Sequence, residues 1–490
     1  MNGAHRLAMM AAVAALIGPL AGCPSREVKK VEGGPPPVPD FVVPAERWVD
    51  ASAPEGGEGT EARPFRALGA ALAPERAGVP VRVHVRTGLY RGPFELPAKW
   101  EIEGPESAVL FVEGAGGAVL AVADGRVAGV SLQGGAVGLA ASGPVRAEGI
   151  HCSGQRQAAV EVRGGSLELS GADVRASVSE ILGVNVIQGR ARVQDSAFTG
   201  PFRRAVKAEG AAVEVTVERT RFVEAVTAVQ LVGVNGHLLG LSVRGGRGPA
   251  VFVGGGEVVV EGLEVDGQEY ALLAREARLH ARRITSRGAE QGGVALVKSR
   301  SALADLTVSG SGPVGAVEVV GGELDLQRFR IQRAASYGVH ARSARVAISD
   351  GTIEEVTSDR DGTLGDGVHL RDAKGRVERV TVRGAGGSGL LVAEGSDIHG
   401  TELALERCRW GGVVVETLSS FFGRTIAVRD GGGAALAVPT EAGASVTGLT
   451  SVRNQEGAVW AECSEGARVT LKGLTDDAPR PRPRCVHLEP

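Results

Sequence analysis

Residues 315–342 read GAVEVVGGELDLQRFRIQRAASYGVHAR and contain one full period of the repeat that decides the fold. The period starts at Ala316 and closes 22 residues later at Gly338. Each start has a small residue, then Val or Leu, then any residue, then an apolar one. Apolar and polar residues alternate after it, which is typical of β-strands. A period of this length holds three short strands and three turns, whereas two helices would need more residues.

The pattern recurs sixteen times between residues 118 and 458, at spacings of 20 to 29 residues. Its small positions are Ala118, Gly138, Ala159, Gly183, Ala205, Ala228, Ala250, Ala271, Gly293, Ala316, Gly338, Gly367, Gly389, Gly412, Ala435 and Ala458. Identical strands repeated in chain order stack in parallel about 4.8 Å apart, so the coils would form a rod of roughly 75 Å. We predict an all-β, right-handed parallel β-helix of about 22–23 residues per coil, with the small column at a tight corner.

Composition agrees with this architecture and excludes several classes of protein. The 490 residues include 73 glycines but only 4% aromatic residues, as expected for small corners around a narrow core of Val, Leu and Ala. Hydrophobic residues make up 43% of the chain, which excludes a disordered protein. A formal net charge of −3 argues against nucleic acid as a partner.

The amino terminus indicates export. An apolar stretch within residues 1–22 is too short and too interrupted to span a membrane, and is typical of a signal peptide. The run Leu20-Ala21-Gly22-Cys23 resembles the lipobox of bacterial lipoproteins, which implies cleavage before Cys23 and acylation of that residue. A Pro- and Gly-rich tether follows over residues 23–46. We predict a lipid-anchored protein of the bacterial cell envelope, and Pro24 by the same resemblance favours the outer membrane.

Residues 47–113 are predicted to form an N-terminal cap and the first coils. Thr60 suits the start of a short amphipathic capping helix, and Pro64 its first turn. The runs at 48–52, 59–65 and 88–90 resemble the entry segment of pectin-lyase-like right-handed β-helix proteins. That resemblance implies the fold, with repeats over 114–474 and a tail at 475–490 that covers the last coil. It leaves the activity open, because the family holds lyases, hydrolases, epimerases and binding proteins.

Candidate site residues emerge when the coils are read down their columns. Two positions after each small residue the side chain points outward, and this column contains Glu318, His340 and His369 on successive coils. Two positions further on lie Arg342 and Arg371. A neutral imidazole or a carboxylate could accept a sugar proton while an arginine neutralises a uronate carboxylate.

The single long spacing of 29 residues falls between the two histidine-bearing coils and contains an acidic insertion. Asp359, Asp361 and Asp366 of this insertion are candidate ligands for Ca²⁺, with no other cofactor expected. Together with Tyr337 and Glu318 they are also candidates for binding a ligand. A solvated polar strand face beside a tolerated loop insertion explains the same residues without any function.

The outward column continues with apolar residues after His369, which indicates a surface that a tail or partner covers. Its members are Leu391, Val414, Ala437 and Trp460. Cys463 and Cys485 are one coil apart, so we predict a disulfide between them. Cys152 and Cys408 are about eleven coils apart and are predicted to be buried free thiols.

The sequence therefore supports two hypotheses about function. In the first, a non-catalytic lipoprotein binds a polysaccharide or an envelope protein along its flank, since polygalacturonase-like and alginate-epimerase-like signatures are missing. In the second, the protein is a polysaccharide lyase or epimerase that acts on uronate-containing glycans.

Overall fold

Each coil of the computed structural model pairs in parallel with the next coil. The structure describes residues 45–73, 79–114, 116–359, 361–478, 480–481 and 483–489. Over these ranges the strands of consecutive coils run in register, for example Val339 opposite Val368 and Val368 opposite Leu390. The chain forms a parallel β-solenoid of about 17 turns with almost no helix. The prediction of an all-β parallel β-helix is confirmed.

One coil, Tyr337–Val356, illustrates the architecture. Its residues 337–342 belong to what we call the first wall, 344–349 to the second wall and 351–356 to the third. The walls meet at single residues with left-handed backbone, Ser343 at φ 52° and Asp350 at φ 58°. Inside each wall apolar side chains point inward and polar ones outward, so the narrow core is filled from three sides.

The strands fall into five sets according to the walls they occupy. Those of the first wall are Phe94–Leu96, Ala118–Val122, Val137–Ala141, Ala158–Val162, Leu182–Val186, Arg204–Glu209, Val229–Val232, Pro249–Gly254, Tyr270–Arg275, Asp366–Arg371, Ser388–Ala393, Gly411–Val415, Ala434–Val438 and Val459–Ala461. Those that run through all three walls are Gly292–Ser311, Gly315–Ala334 and Tyr337–Val356. Those of the second wall are Ala45–Val49, Val81–Val85, Trp100–Glu103, Gly125–Ala128, Pro144–Glu148, Ser166–Ser170, Arg190–Gln194, Glu214–Glu218 and Val486–Glu489. Those that bend from the second wall into the third are Asn235–Arg244, Glu257–Asp266, Arg278–Ala289, Lys374–Ala385, Asp397–Glu406, Ser420–Arg429, Gly443–Val452 and Arg468–Asp476. Those of the third wall are Gly88–Arg91, Ala108–Val112, Ser131–Gly134, His151–Ser153, Asp173–Arg175, Ala197–Thr199 and Arg221–Val223.

The column of small residues is set by close approach to the neighbouring coil. A Cβ atom added at Gly338 would lie 2.5 Å from the carbonyl oxygen of Gly367 and 2.6 Å from Cγ2 of Ile353 on the facing wall. The predicted column is in register from Gly138 to Ala458. At its first position the prediction is wrong by one residue, because Ala118 pairs with Val137 and so leaves Val119 beside Gly138.

The N-terminal helix is shorter than predicted and begins later. It spans only Leu68–Ala71, both of whose end residues are buried. Thr60 does not cap it. The hydroxyl of Thr60 instead accepts the Arg63 N–H at 3.1 Å in a local turn, and Phe65 pairs with Val49. That this segment closes the end of the solenoid stays a prediction.

The C-terminal tail adds one more strand to the second wall. Val486–Glu489 pairs in parallel with residues 469–472. A disulfide joins Cys463 to Cys485 with their Cα atoms 5.5 Å apart, the pairing that the one-coil spacing predicts. Cys152 and Cys408 are buried free cysteines, and burial raises the pKa of both thiols to about 12.

Residues 1–44 lie outside the described residues, and with them the predicted signal peptide, lipidation site and most of the tether. Within the described ranges, no helix has the length and apolar character needed to cross a membrane.

Candidate functional site

The outward column of the first wall brings three predicted residues together. Glu318 pairs in register with His340, and His340 with His369. The two imidazole rings lie edge to face with their centroids 5.3 Å apart. Arg342 and Arg371 pair in the same register two positions further along the strand. We call the side chains around the two rings the histidine cluster.

Asp366 fixes the ring of His369. Its carboxylate is 1% exposed, and one oxygen lies 2.7 Å from Nδ1 of His369. The other oxygen accepts the backbone N–H of Ser388 at 2.7 Å, so the carboxylate itself is held from the next coil. With Asp366 ionised, Nδ1 of His369 donates to it and Nε2 is left as the basic nitrogen.

Tyr337 and His340 form the other side of the histidine cluster. Their rings are stacked with centroids 4.6 Å apart, and Tyr337 also meets His369 edge to face at 5.1 Å. Burial lowers the pKa of His340 to about 4, helped by the neighbouring His369 and by the positive charges of Arg371 and Arg342. His340 is therefore a neutral imidazole, and its Nε2 atom is buried without a hydrogen-bond partner in the described protein.

Two half-buried carboxyl groups flank the rings. Burial raises the pKa of Glu318 and of Glu416 above the ordinary range. The guanidinium of Arg371 donates to Glu394, which raises the pKa of Arg371 and lowers that of Glu394. The site thus holds carboxyl groups that retain protons more readily than usual beside a fixed positive charge.

The three aspartates of the acidic insertion that the sequence predicts as calcium ligands do not lie together in the structure. The Asp359 carboxylate accepts N–H groups of Thr363 and Leu364 at 2.7 and 3.0 Å and the Thr363 hydroxyl at 2.8 Å. These bonds lower the pKa of Asp359 and close the loop on itself. Asp361 is exposed and Asp366 faces His369, so the three carboxylates do not converge. No cluster of three or more metal-ligating side chains occurs in the described part of the chain.

The apolar stripe after His369 is in register, as predicted, but the tail does not lie on it. Leu391, Val414, Ala437 and Trp460 follow one another on successive coils. Leu391 and Ala437 are already buried by their surroundings, while Trp460 is 41% exposed. The tail strand Val486–Glu489 lies on the second wall instead.

A groove on the outer face of the second wall was not found from the sequence. It consists of two adjoining hollows of about 690 and 360 Å³ that share His280, Ala302 and Asp325. Charged and polar side chains of both kinds, cationic donors and carboxylate acceptors, surround it. They include Glu257, Glu261, Arg278, Arg282, Arg300, Glu323, Gln327, Arg345 and Lys374. Glu318, His340 and His369 do not line either hollow. We call this feature the second-wall groove.

The sequence held signals for two features that were not predicted from it, Glu416 and the second-wall groove. Glu416 stands two coils beyond Arg371 in the same column, since Arg371 pairs with Ala393 and Val392 with Val415. The groove follows from a column of the second wall, in which Ala302 stands between His280 and Asp325. Short side chains among long ones leave a hollow, which a search for catalytic residue types passes over.

Comparisons with known proteins return structural matches only. No protein-family model matches the chain, and no curated protein matches it. Solved structures that it resembles include the Agl-KA catalytic domain, at 11% identity over 83% of this chain and 64% of that one, with a TM-score of 0.28. A Yersinia enterocolitica family 28 exopolygalacturonase matches at 12% identity over 77% and 76% of the two chains, with a TM-score of 0.23. A double mutant of the periplasmic alginate epimerase AlgG matches at 11% identity over 78% and 77%, with a TM-score of 0.25.

The chain thus spans less than two thirds of the first of these structures. Because these TM-scores are low, the matches say nothing about function. We therefore describe the protein by its own strand register and side chains. It is a parallel β-helix with a cluster of histidines on one wall and a polar groove on another.

Proposed function

We propose that this protein is a lipid-anchored β-helix of the bacterial cell envelope that binds a polysaccharide along the second-wall groove. The observation that supports binding is the groove itself, which extends over several coils and is open on its outer side. A polymer that lies along the solenoid would meet the same three columns of side chains at every coil.

The chemistry of the lining favours a carbohydrate. Each sugar hydroxyl both donates and accepts hydrogen bonds, so it suits a surface where guanidinium donors lie beside carboxylate acceptors. Arg300 donates to Glu323 at 2.8 Å, and Arg345 lies 3.9 Å from the same carboxylate. A nucleic acid would instead need a surface of one positive sign, and the net charge of −3 argues against that.

The anchor is proposed from the resemblance of residues 20–23 to a lipobox. Expression of the full chain in a lipoprotein-processing bacterium should yield a mature protein that begins at an acylated Cys23. Intact-mass measurement of the membrane fraction tests this, and Cys23→Ser is the matched control. A mass that shows an unacylated Cys23 in the processed protein would exclude the anchor.

The binding proposal is tested with the full-length protein in detergent and immobilised dextran, polygalacturonate, alginate and heparin. At least one of these polysaccharides should retain the protein, and the double substitution Arg278→Ala and Lys374→Ala should weaken the binding of the protein to it. Arg163→Ala, an exposed arginine on a distant coil, is the control. Failure to bind any polysaccharide in the panel would overturn the proposal.

A second candidate function, lyase or epimerase activity on uronate glycans, is favoured by the contact between Asp366 and His369. In this scheme Nε2 of His369 accepts the sugar C5 proton, and Arg342 or Arg371 neutralises the adjacent carboxylate. In a lyase the electron pair left at C5 forms a double bond to C4 as the bond from C4 to the linking oxygen breaks. The departing oxygen takes a proton from a carboxyl such as Glu416.

Incubation of the full chain with polygalacturonate and alginate tests this second function. Product would appear as ultraviolet absorbance of the unsaturated sugar, or as altered sugar configuration by NMR. His369→Ala should abolish it, while Arg163→Ala should leave it intact. No product with either glycan counts against catalysis and leaves the binding proposal standing.

A further inference from the structure

We propose that the smaller hollow of the second-wall groove is a slot for a single pyranose ring of the bound polysaccharide. The inference rests on the polysaccharide-binding function proposed above and assigns its central subsite. The hollow measures about 360 Å³ and lies over Ala302 and Ala304. Its flanks are His280 and Arg282 on one coil and Asp325 and Gln327 two coils later.

Register explains why the gap is open. His280 pairs with Ala302, and Ala302 with Asp325, so a methyl group separates two long side chains in the column. Two coil spacings place the flanking backbones roughly 10 Å apart. A ring in van der Waals contact on both of its faces needs about 7–8 Å, since each contact takes ~3.5–4.0 Å. One pyranose ring, which is a shallow chair, therefore fits between the imidazole and the carboxylate.

The polar groups of the slot are held in place before any ligand arrives. Nε2 of Gln327 donates to both oxygens of Asp325, at 3.0 and 3.1 Å. Arg282 is paired with Glu261 on the preceding coil. Each carboxylate oxygen keeps accepting capacity for a sugar hydroxyl, and preorganised side chains lose less conformational entropy when a ligand binds.

The experiment uses the full-length protein in detergent. The ligand is whichever of immobilised dextran, polygalacturonate, alginate or heparin retains the protein most strongly. Ala302→Phe fills the slot, and Asp325→Asn replaces the accepting carboxylate while keeping its shape. Ala404→Phe is the matched control, because Ala404 is an outward, half-buried alanine of the third wall. Circular dichroism establishes that each variant is folded.

Ala302→Phe and Asp325→Asn should each weaken binding at least tenfold, while Ala404→Phe leaves it unchanged. Full-strength binding by folded Asp325→Asn would overturn the slot but not the groove. If the bound polysaccharide is an acidic one, its displacement by polyglutamate at equal charge would overturn the slot as well, because binding would then be ionic only. If none of the four polysaccharides retains the wild-type protein, the proposed function itself is overturned.

Discussion

The carboxylate of Asp366 and the imidazole of His369 lie three residues apart on one strand, with Oδ2 and Nδ1 separated by 2.7 Å. On a regular strand, residues separated by an odd number point to opposite faces. Asp366 reaches the outer side because it stands at the corner that leads into the strand, next to Gly367, where the five consecutive residues 366–370 are buried. The corner thus supplies an orienting carboxylate that simple alternation would place on the other face.

Asp366→Asn should disturb both stability and the tautomer of His369. The amide can still accept from Ser388, but it then presents an NH₂ group to Nδ1, which must give up its proton to accept. We expect the free energy of unfolding in urea to fall by about 1–3 kcal/mol, typical of a disrupted buried hydrogen bond. Nitrogen NMR of His369 should show the proton on Nε2. Asp361→Asn, in the exposed part of the same loop, should change neither, and an unchanged tautomer in Asp366→Asn would contradict this assignment.

His340 should make the protein less stable as the pH falls below 6.5. The folded pKa is about 4 against an ordinary value of 6.5, so between these values the unfolded chain binds a proton that the folded protein does not. Glu318 acts in the opposite direction, since its raised pKa lets the folded protein hold a proton that the unfolded chain releases. NMR titration of the His340 ring measures the first effect directly.

Single substitutions separate the contributions of His340 and Glu318 to the pH dependence of stability. In urea unfolding between pH 6.5 and 4.5, His340→Phe should lose part of the destabilisation by acid, and Glu318→Gln should enlarge it. A His340 ring that titrates near 6.5 in the folded protein would refute the prediction, as would an unchanged pH profile in His340→Phe.

Gly338→Ala should destabilise the solenoid although many coils carry alanine in this column. The added Cβ would meet the Gly367 carbonyl oxygen at 2.5 Å and Ile353 at 2.6 Å. Overpacking of this kind typically costs about 1–3 kcal/mol. Gly443→Ala is the matched control, because a Cβ there meets nothing within 4 Å and should change stability by less than about 0.5 kcal/mol. Equal unfolding curves for the two variants would show that the column is not tightly packed.

Loss of the disulfide should loosen the tail alone. Cys463 and Cys485 close a loop of 22 residues, for which the chain-entropy argument gives about 3 kcal/mol. In Cys485→Ser, hydrogen exchange of the Val486–Glu489 amides should accelerate strongly while strands of the central coils stay protected. Mild reductant should reproduce the effect, since Cys152 and Cys408 are buried. Unchanged exchange of the tail would mean that strand pairing alone holds it.

Much of the architecture can be predicted from the sequence because a solenoid repeats its constraints. Every coil must present a small residue at the same corner, so the column from Gly138 to Ala458 marks the register without any structure. The same register correctly predicts which residues neighbour His340 and which cysteine lies beside Cys463. The exception is at the first coil, where Val119 and not Ala118 stands opposite Gly138, so the column there holds a larger residue.

The candidate sites were only partly predictable, for a related reason. Column reading finds residues that share a strand position, as with Glu318, His340 and His369. It does not find Glu394, which stands at a left-handed corner with φ 56° and turns back to Arg371. Nor does it show that Asp359 closes the acidic insertion on itself, because the hydrogen bonds of Asp359 depend on how the insertion folds.

The sequence alone thus determined the coil, its period, its register and the pairing of Cys463 with Cys485, because each follows from strands that stack at one fixed spacing. The tertiary structure alone decided that Asp366 orients His369 and that His340 is buried and neutral. It also decided how far the second-wall groove extends and which side chains line it, for which the column of His280, Ala302 and Asp325 is only a signal. These features depend on how side chains from different coils and corners fill the space between them, and such packing has no period that a sequence can display.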